Sequence, residues 1–338
     1  MSTRTVPMML LSELADGQEA DMFVLLTRRE AATTRDGRPF YKLTFRDAGR
    51  EAGCPIWEDS PLQEECRAQW RPGMFFKIRG RFVESQYGPQ IEIRKIRPVS
   101  DADESEGFDP LMCMPQSRFD PEEMFAELAG IVRQRIGGDA LRQLVLDVLD
   151  EYREQLLVFP AAVRNHHAYA GGLIEHLLSV TRSCVYLAEK YADYYPDLQP
   201  PLDKDVVVAG AVLHDIGKLR EYDLHPHGAE YSPAGHLVGH ILQGRDLVRE
   251  VPSSADVDPE TMLRLEHVIV SHQRLPEWGS PKPTMTPEAV IVHYADDLDA
   301  KFQMMYGVLR DDLIEGPVTS SRNPLGQRVY RGPLPDDS

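Results

Sequence analysis

The first 98 residues alternate apolar and polar positions in five short runs: DMFVLLTRRE, RPFYKLTFRD, CPIWED, MFFKIRGRFVES and PQIEIRKIRPV. The runs are rich in aromatic and β-branched residues and are punctuated by Asp36-Gly37 and Gly88-Pro89, which predicts antiparallel strands. Five strands in so short a stretch suit a small all-β barrel, and EECRAQW before Arg71-Pro72-Gly73 predicts a short helix between the third and fourth strands. From about Asp120 the apolar spacing becomes i, i+3, i+4, i+7, as in MFAELAGIVRQRI, the signature of helices with one buried face. Asp120-Pro121, Asp203, Asp258-Pro259 and Thr286-Pro287 each place a capping side chain at a helix start, three of them with proline in the first turn. This second part reads as an all-α bundle.

Between the two lies VSDADESEGFDPLMCMPQSRFDPEE, acidic and without apolar periodicity, which reads as a linker. The expected organisation is a barrel over residues 1–98, an acidic linker over 99–118, a helical domain over 119–315 and an irregular tail over 316–338. A chain of 338 residues with 42% hydrophobic residues is long enough for two cores, which excludes a disulfide scaffold or a wholly disordered chain. Its four cysteines are far apart and form no C-x-x-C pair, so neither a zinc ribbon nor a dithiol redox site is indicated, and a reducing compartment is expected. The N-terminal sequence lacks the features of a signal peptide and no run is apolar enough to span a bilayer. The expectation is a cytoplasmic protein without a membrane partner.

A formal charge of −17 argues at first against nucleic acid, whose phosphates are bound by Lys and Arg. The charge is uneven, however. Residues 1–98 hold 16 basic and 14 acidic residues, leaving 21 basic and 40 acidic for the remainder. In FYKLTF and FFKIRGRF, basic residues interleave with aromatics, the composition of an OB-type face that stacks bases and tracks phosphates. Tyr41, Lys42, Trp57 and Arg79 are the candidate nucleic-acid contacts. A purely structural or protein-binding barrel stays open, since Phe23, Phe45, Phe76 and Phe82 are needed in its core.

All 11 histidines fall between His166 and His293. Several interrupt apolar helix faces: His176 in GGLIEHLLSV, His214-Asp215 after GAVL, His240 in GHLVGHIL, His272 after VIVS, with Asp296 in VHYADDLD. Polar groups in such positions need partners. Four imidazoles and two carboxylates converging from different helices would form a mixed nitrogen and oxygen metal site, and Asp215 could bridge two divalent ions. Such donors suit Mn²⁺, Fe²⁺, Co²⁺, Ni²⁺ or Zn²⁺ better than Ca²⁺. A single histidine in a helix is more commonly a hydrogen-bonded core residue; the ordered series carries the argument. His225 and His227 read as loop residues.

This series, with His214-Asp215-Ile216-Gly217-Lys218 as H-D-x-x-K, resembles the HD superfamily of metal-dependent phosphohydrolases. HHAYAGGLIEH, AVLHDIGKLREY, GHLVGHIL, EHVIVSHQ, EWGSPKP and HYADDLDAKF behind an OB-like module are similar to the YhaM family of 3′→5′ exoribonucleases. The resemblance implies an OB-like barrel that binds single-stranded RNA, with single-stranded DNA as an alternative, and an HD-type domain that releases nucleoside 5′-monophosphates. It implies His176, His214, Asp215, His240, His272 and Asp296 as ligands of two divalent ions, manganese first, with Co, Fe, Ni, Mg or Zn as alternatives. Asp215 and Lys218 would be catalytic, Lys218 as a charge on the substrate phosphate. Gln273 stands where related sequences often carry a second histidine. His267 reads as structural or supporting, and His166 and His167 as candidates for proximity to substrate. A small-nucleotide phosphohydrolase and a non-catalytic nucleic-acid-binding protein remain alternatives, and assembly into a homo-oligomer stays open.

Overall fold

A computed structural model of the chain describes residues 6–332 other than 35, 86, 87, 226, 227, 313 and 315; His227 and the end of the expected tail lie outside them. The chain divides into two compact units, Met1–Gln116 with His225–Gly228, and Ser117–Leu224 with Ala229–Ser338.

In the first unit β1 (Glu19–Thr33), β2 (Pro39–Arg46), β3 (Glu51–Trp57), β4 (Phe75–Ser85) and β5 (Gly88–Pro98) close a barrel in the order β1-β2-β3-β5-β4. The 15-residue β1 pairs with β4 through Glu19–Leu25 and with β2 through Leu25–Thr33, and a register shift between Leu26 and Arg28 accommodates the turn from one partner to the other. Such an irregularity bends a strand as closure requires. Alternation places Leu43, Phe45, Phe76, Ile78 and Phe82 inside. The predicted short helix is α1 (Gln63–Ala68), and Trp70 just after it is fully buried.

Where the sequence suggests an irregular acidic linker, two 3-10 turns, Asp101–Glu106 and Pro110–Cys113, pack with the barrel. The acidic composition misleads because part of it is paired. Asp103 is buried and accepts two 2.6 Å hydrogen bonds from Arg97 and further bonds from the Ser100 amide and hydroxyl. Phe108 lies 5.2 Å from Phe23 and 5.3 Å from Phe75, centroid to centroid. The Arg97 guanidinium, opposed by burial, holds the Asp103 carboxyl well below the ordinary range. Its contribution to stability is therefore complete above the unfolded value near about 3.9 and is lost as pH falls through the lower folded value. Asp103→Ala is expected to cost about 1–3 kcal/mol, read as a lower urea midpoint at pH 7 and a smaller difference at pH 3.

The second unit is helical: α2 (Pro121–Arg135), α3 (Asp139–Glu151), α4 (Arg153–Val158), α5 (Gly172–Tyr194), α6 (Lys204–Leu213), α7 (Lys218–Glu221), α8 (Pro233–Leu237), α9 (His240–Glu250), α10 (Pro259–Ser271) and α11 (Pro287–Asp311), with most of a hairpin of β6 (Tyr222–His225) and β7 (Gly228–Tyr231), of which His225 and Gly228 fall in the first unit. The predicted starts are caps: Asp120, Asp203, Asp258 and Thr286 side chains accept from first-turn amides of α2, α6, α10 and α11. Every residue of α6 from Val206 to Leu213 is buried. A helix apolar on all sides belongs at the centre, and α6 packs against α5, α10 and α11. Residues 316–332 form no helix, but Val318 bridges Tyr330 and Thr319 is buried. No helix among the described residues is long and apolar enough to cross a membrane.

Candidate metal centre and cleft

Burial of α6 delivers its C-cap residue, His214, and the following Asp215 to the middle of the helical unit. Both are essentially without solvent contact. His176 comes from α5, His240 from the first residue of α9, His272 from the C-cap of α10 and Asp296 from α11. The six residues named from the sequence converge.

Asp215 stands between two sets of imidazoles. Its Oδ2 lies 3.4 Å from His176 Nε2 and 3.6 Å from His214 Nε2, and Asp296 Oδ1 faces the same nitrogens at 3.3 and 3.8 Å. Its Oδ1 lies 3.3 Å from His240 Nε2 and 3.5 Å from His272 Nε2. Ligands sharing one ion at about 2.1 Å stand about 3 to 3.5 Å apart, so this spacing suits a cation in each set.

The supporting bonds give each ring one orientation. His214 Nδ1 donates to the Ala211 carbonyl and His272 Nδ1 to the Ile269 carbonyl, each at 2.8 Å and three residues back along its own helix. His176 Nδ1 donates to Asp299 at 2.8 Å and His240 Nδ1 to Glu221 at 3.0 Å. With Nδ1 occupied in all four, Nε2 is the nitrogen presented to the centre, the arrangement by which proteins aim histidine at metal. Asp215 Oδ1, His240 Nε2 and His272 Nε2 are buried without a hydrogen-bond partner, a costly condition that a cation relieves.

The electrostatics agree. Burial opposes a charge on His176, but Asp215, Asp296 and Asp299 outweigh it and hold its pKa well above the ordinary value. The carboxylates thus call for positive charge at the centre. Burial pushes His214 down to about 4 against Asp215 and Asp296, leaving a neutral ring with a free lone pair. The donor set and the orphaned atoms both fit divalent metal.

Lys218 departs from the simple expectation of a free phosphate contact. It is buried and its ammonium donates to Asp215 Oδ2 at 2.5 Å, although it also lines the adjoining cleft. Two supporting carboxylates escaped the sequence reading. Asp299 lies three residues after Asp296 on α11, and Glu221 three after Lys218, spacings that put side chains on one helix face; that spacing was the available signal. Asp299 also pairs with His167 Nε2 at 3.0 Å and accepts from Ser179, which gives His167 a supporting place. His166 lines the cleft, and burial, with Lys218 nearby, pushes it down to about 3. His267 stands apart: its Nε2 accepts from the Met285 amide at 2.9 Å. Gln273 lines the cleft.

On the barrel, the four candidates do not share one face. Lys42 and Trp57 alternate outward from β2 and β3, and Trp57 pairs in register with Phe40, ring centroids 4.9 Å apart. Tyr41 packs against the barrel core, with Arg29 5.6 Å from its ring centroid. Arg79 is on β4, held by Asp21 through bonds of 2.7 and 2.6 Å.

An HD domain model matches residues 173–301. The chain is 32% identical over 321 residues to the 3′-5′ exoribonuclease YhaM of Bacillus licheniformis, covering 94% of this chain and 96% of that protein. Among solved structures it is similar to the second OB-fold domain of replication protein A from Methanococcus maripaludis, at 14% identity over 28% of this chain and 96% of that one, with a TM-score of 0.22. It is also similar to Schizosaccharomyces pombe Pot1pC bound to single-stranded DNA, at 13% identity over 28% and 87% of the two chains, again with a TM-score of 0.22. Scores that low carry no functional argument. The sequence identity extends over both units, and the chain belongs to the YhaM family of 3′-5′ exoribonucleases.

Proposed function

We propose that the chain is a metal-dependent 3′→5′ exoribonuclease that hydrolyses single-stranded RNA to nucleoside 5′-monophosphates, with residues 119–315 cleaving and the barrel of residues 1–98 gripping the strand. The observation that carries this reading is Asp215 with one oxygen turned to His176 and His214 and the other to His240 and His272. In it, His176, His214, Asp215 and Asp296 would hold one divalent ion and Asp215, His240 and His272 would hold a second. The carboxylates suit manganese, while the imidazoles also admit iron, nickel or zinc. Bound there, such ions lower the pKa of water and neutralise charge developing on phosphoryl oxygens.

The residues of the chain do the remaining work. Asp299, Glu221 and the Ala211 and Ile269 carbonyls keep the imidazoles aimed. Lys218 offsets the charge of Asp215 and, from the cleft wall, attracts the substrate phosphate. Phe40, Trp57 and Lys42 offer aromatic surface and a cation on adjacent strands, the strand 2–3 face with which OB barrels hold oligonucleotides. Arg79, neutralised by Asp21, contributes less.

The reading is tested by incubating the purified chain with 5′-labelled single-stranded RNA and DNA and Mn²⁺, with and without chelator. Ladders shortening from the 3′ end, abolished by chelator, are expected; intact RNA or internal cuts would overturn it. Combined Lys42→Ala and Trp57→Ala substitutions are expected to weaken binding of long RNA by about 10-fold or more and to reduce the salt slope by about one. Cleavage of a dinucleotide should be little changed. Fluorescence anisotropy over a salt series reads the first effect and steady-state kinetics the second.

A further inference from the structure

A cleft of about 610 Å³ opens beside the centre, lined by the 161–166 segment, Lys218, Tyr222, Tyr231, His240, Trp278 and their neighbours. Glu221, tied to His240, is its one acidic lining residue among those described. Arg164 supplies a second cation with Lys218. This volume is within the range of small-molecule sites, and its charge suits a nucleotide phosphate.

Two of its aromatic residues are unusually open. Trp278 is 52% exposed and Tyr231 45% exposed. Both are nonetheless held firmly. Trp278 ends a 3-10 turn begun by Pro276, with Trp278 N donating to Leu275 O, Gly279 N to Pro276 O and Ser280 N to Leu275 O at 3.0 to 3.2 Å. Gln273 N donates to Ser280 Oγ, and Arg274 takes the left-handed conformation at φ +66. The turn therefore begins directly after His272 and spends backbone strain to keep its shape. Asn165, on another part of the lining, is also left-handed, at φ +78. Non-glycine residues in that region cluster at functional sites. The Tyr231 ring is braced edge-on against buried Tyr222, 5.2 Å between centroids.

We infer that Trp278, with Tyr231 in support, forms a stacking subsite for the base of the 3′-terminal nucleotide. The inference rests on the nuclease reading above and adds to it a binding contact outside the metal centre. An indole carried on a turn whose backbone is held in place beside the phosphate-binding region gives a base a surface at reduced entropic cost. Stacking accepts any base because each has a π face, which suits an enzyme that must advance through every sequence.

The test compares kcat/KM for an RNA oligonucleotide with that for the same oligonucleotide carrying an abasic 3′-terminal residue, using the full chain and its Trp278→Ala and Trp278→Phe variants. The intact substrate is expected to be preferred about ten-fold by the unsubstituted chain. That preference should vanish in Trp278→Ala and largely return in Trp278→Phe. Because each value is a ratio within one variant, a general loss of activity cancels. Trp278→Ala keeping the full preference, or the unsubstituted chain showing none, overturns the subsite while leaving the nuclease reading intact. Failure of the unsubstituted chain to cleave either RNA overturns both.

Discussion

Replacing Asp215 with asparagine is expected to lower kcat by about 10³-fold or more and to reduce bound metal together with it. An amide has nearly the shape of the carboxylate but not its charge, and it cannot offer an anionic oxygen to His176 and His214 on one side and to His240 and His272 on the other. Its NH₂ group would instead donate into one set. The substitution also strips buried Lys218 of the carboxylate it bonds at 2.5 Å, and removing one partner of a buried pair costs about 3–5 kcal/mol. Circular dichroism and thermal melting measured with the kinetics separate the effects. A folded variant with normal metal content and normal activity would remove Asp215 from the chemistry.

Gly217→Ala is expected to do comparable damage through packing alone. A Cβ at Gly217 would fall within contact distance of the His240 carbonyl oxygen and the Gly244 nitrogen, both backbone atoms that cannot rotate away. The start of α9 would have to retreat from the turn that follows Asp215, and His240 is its first residue. A loss of several kcal/mol, about 3–5 by the scale of severe core strain, should appear as a much lower Tm, with activity lost even in whatever fraction folds. Gly244→Ala is the control. Its Cβ would meet Gly217 N at 3.2 Å and Cα at 3.5 Å, far less overlap than at Gly217, so it should melt closer to the unsubstituted chain.

The sequence makes the centre legible because the candidate ligands lie within or at the ends of apolar helical runs, and the caps at Asp120, Asp203, Asp258 and Thr286 mark where helices start. Its barrel is legible from strand alternation. What stays hidden depends on pairing between distant residues. Asp21 and Arg79 are 58 positions apart and meet only because β1 and β4 lie side by side, so a cation that looks available in FFKIRGRF is already held. The acidic segment after β5 looks like solvated linker because its partners, Arg97 for Asp103 and Lys77 for Glu106, sit on the barrel. Asp299 and Glu221 resemble ordinary surface acids until the rings they orient come into place. Lys218 reads as a free cation beside the motif, and only the fold shows it turned onto Asp215.

Asp215 joins the two half-sites of the proposed centre. Metal content by mass spectrometry, after loading with Mn²⁺ and removal of free ions, addresses it most directly. The unsubstituted chain should hold close to two ions per chain, and a variant with both His240→Ala and His272→Ala, which keeps His176, His214 and Asp296, should hold close to one. An unsubstituted chain that holds at most one ion, or a doubly substituted variant that still holds two, would contradict the account.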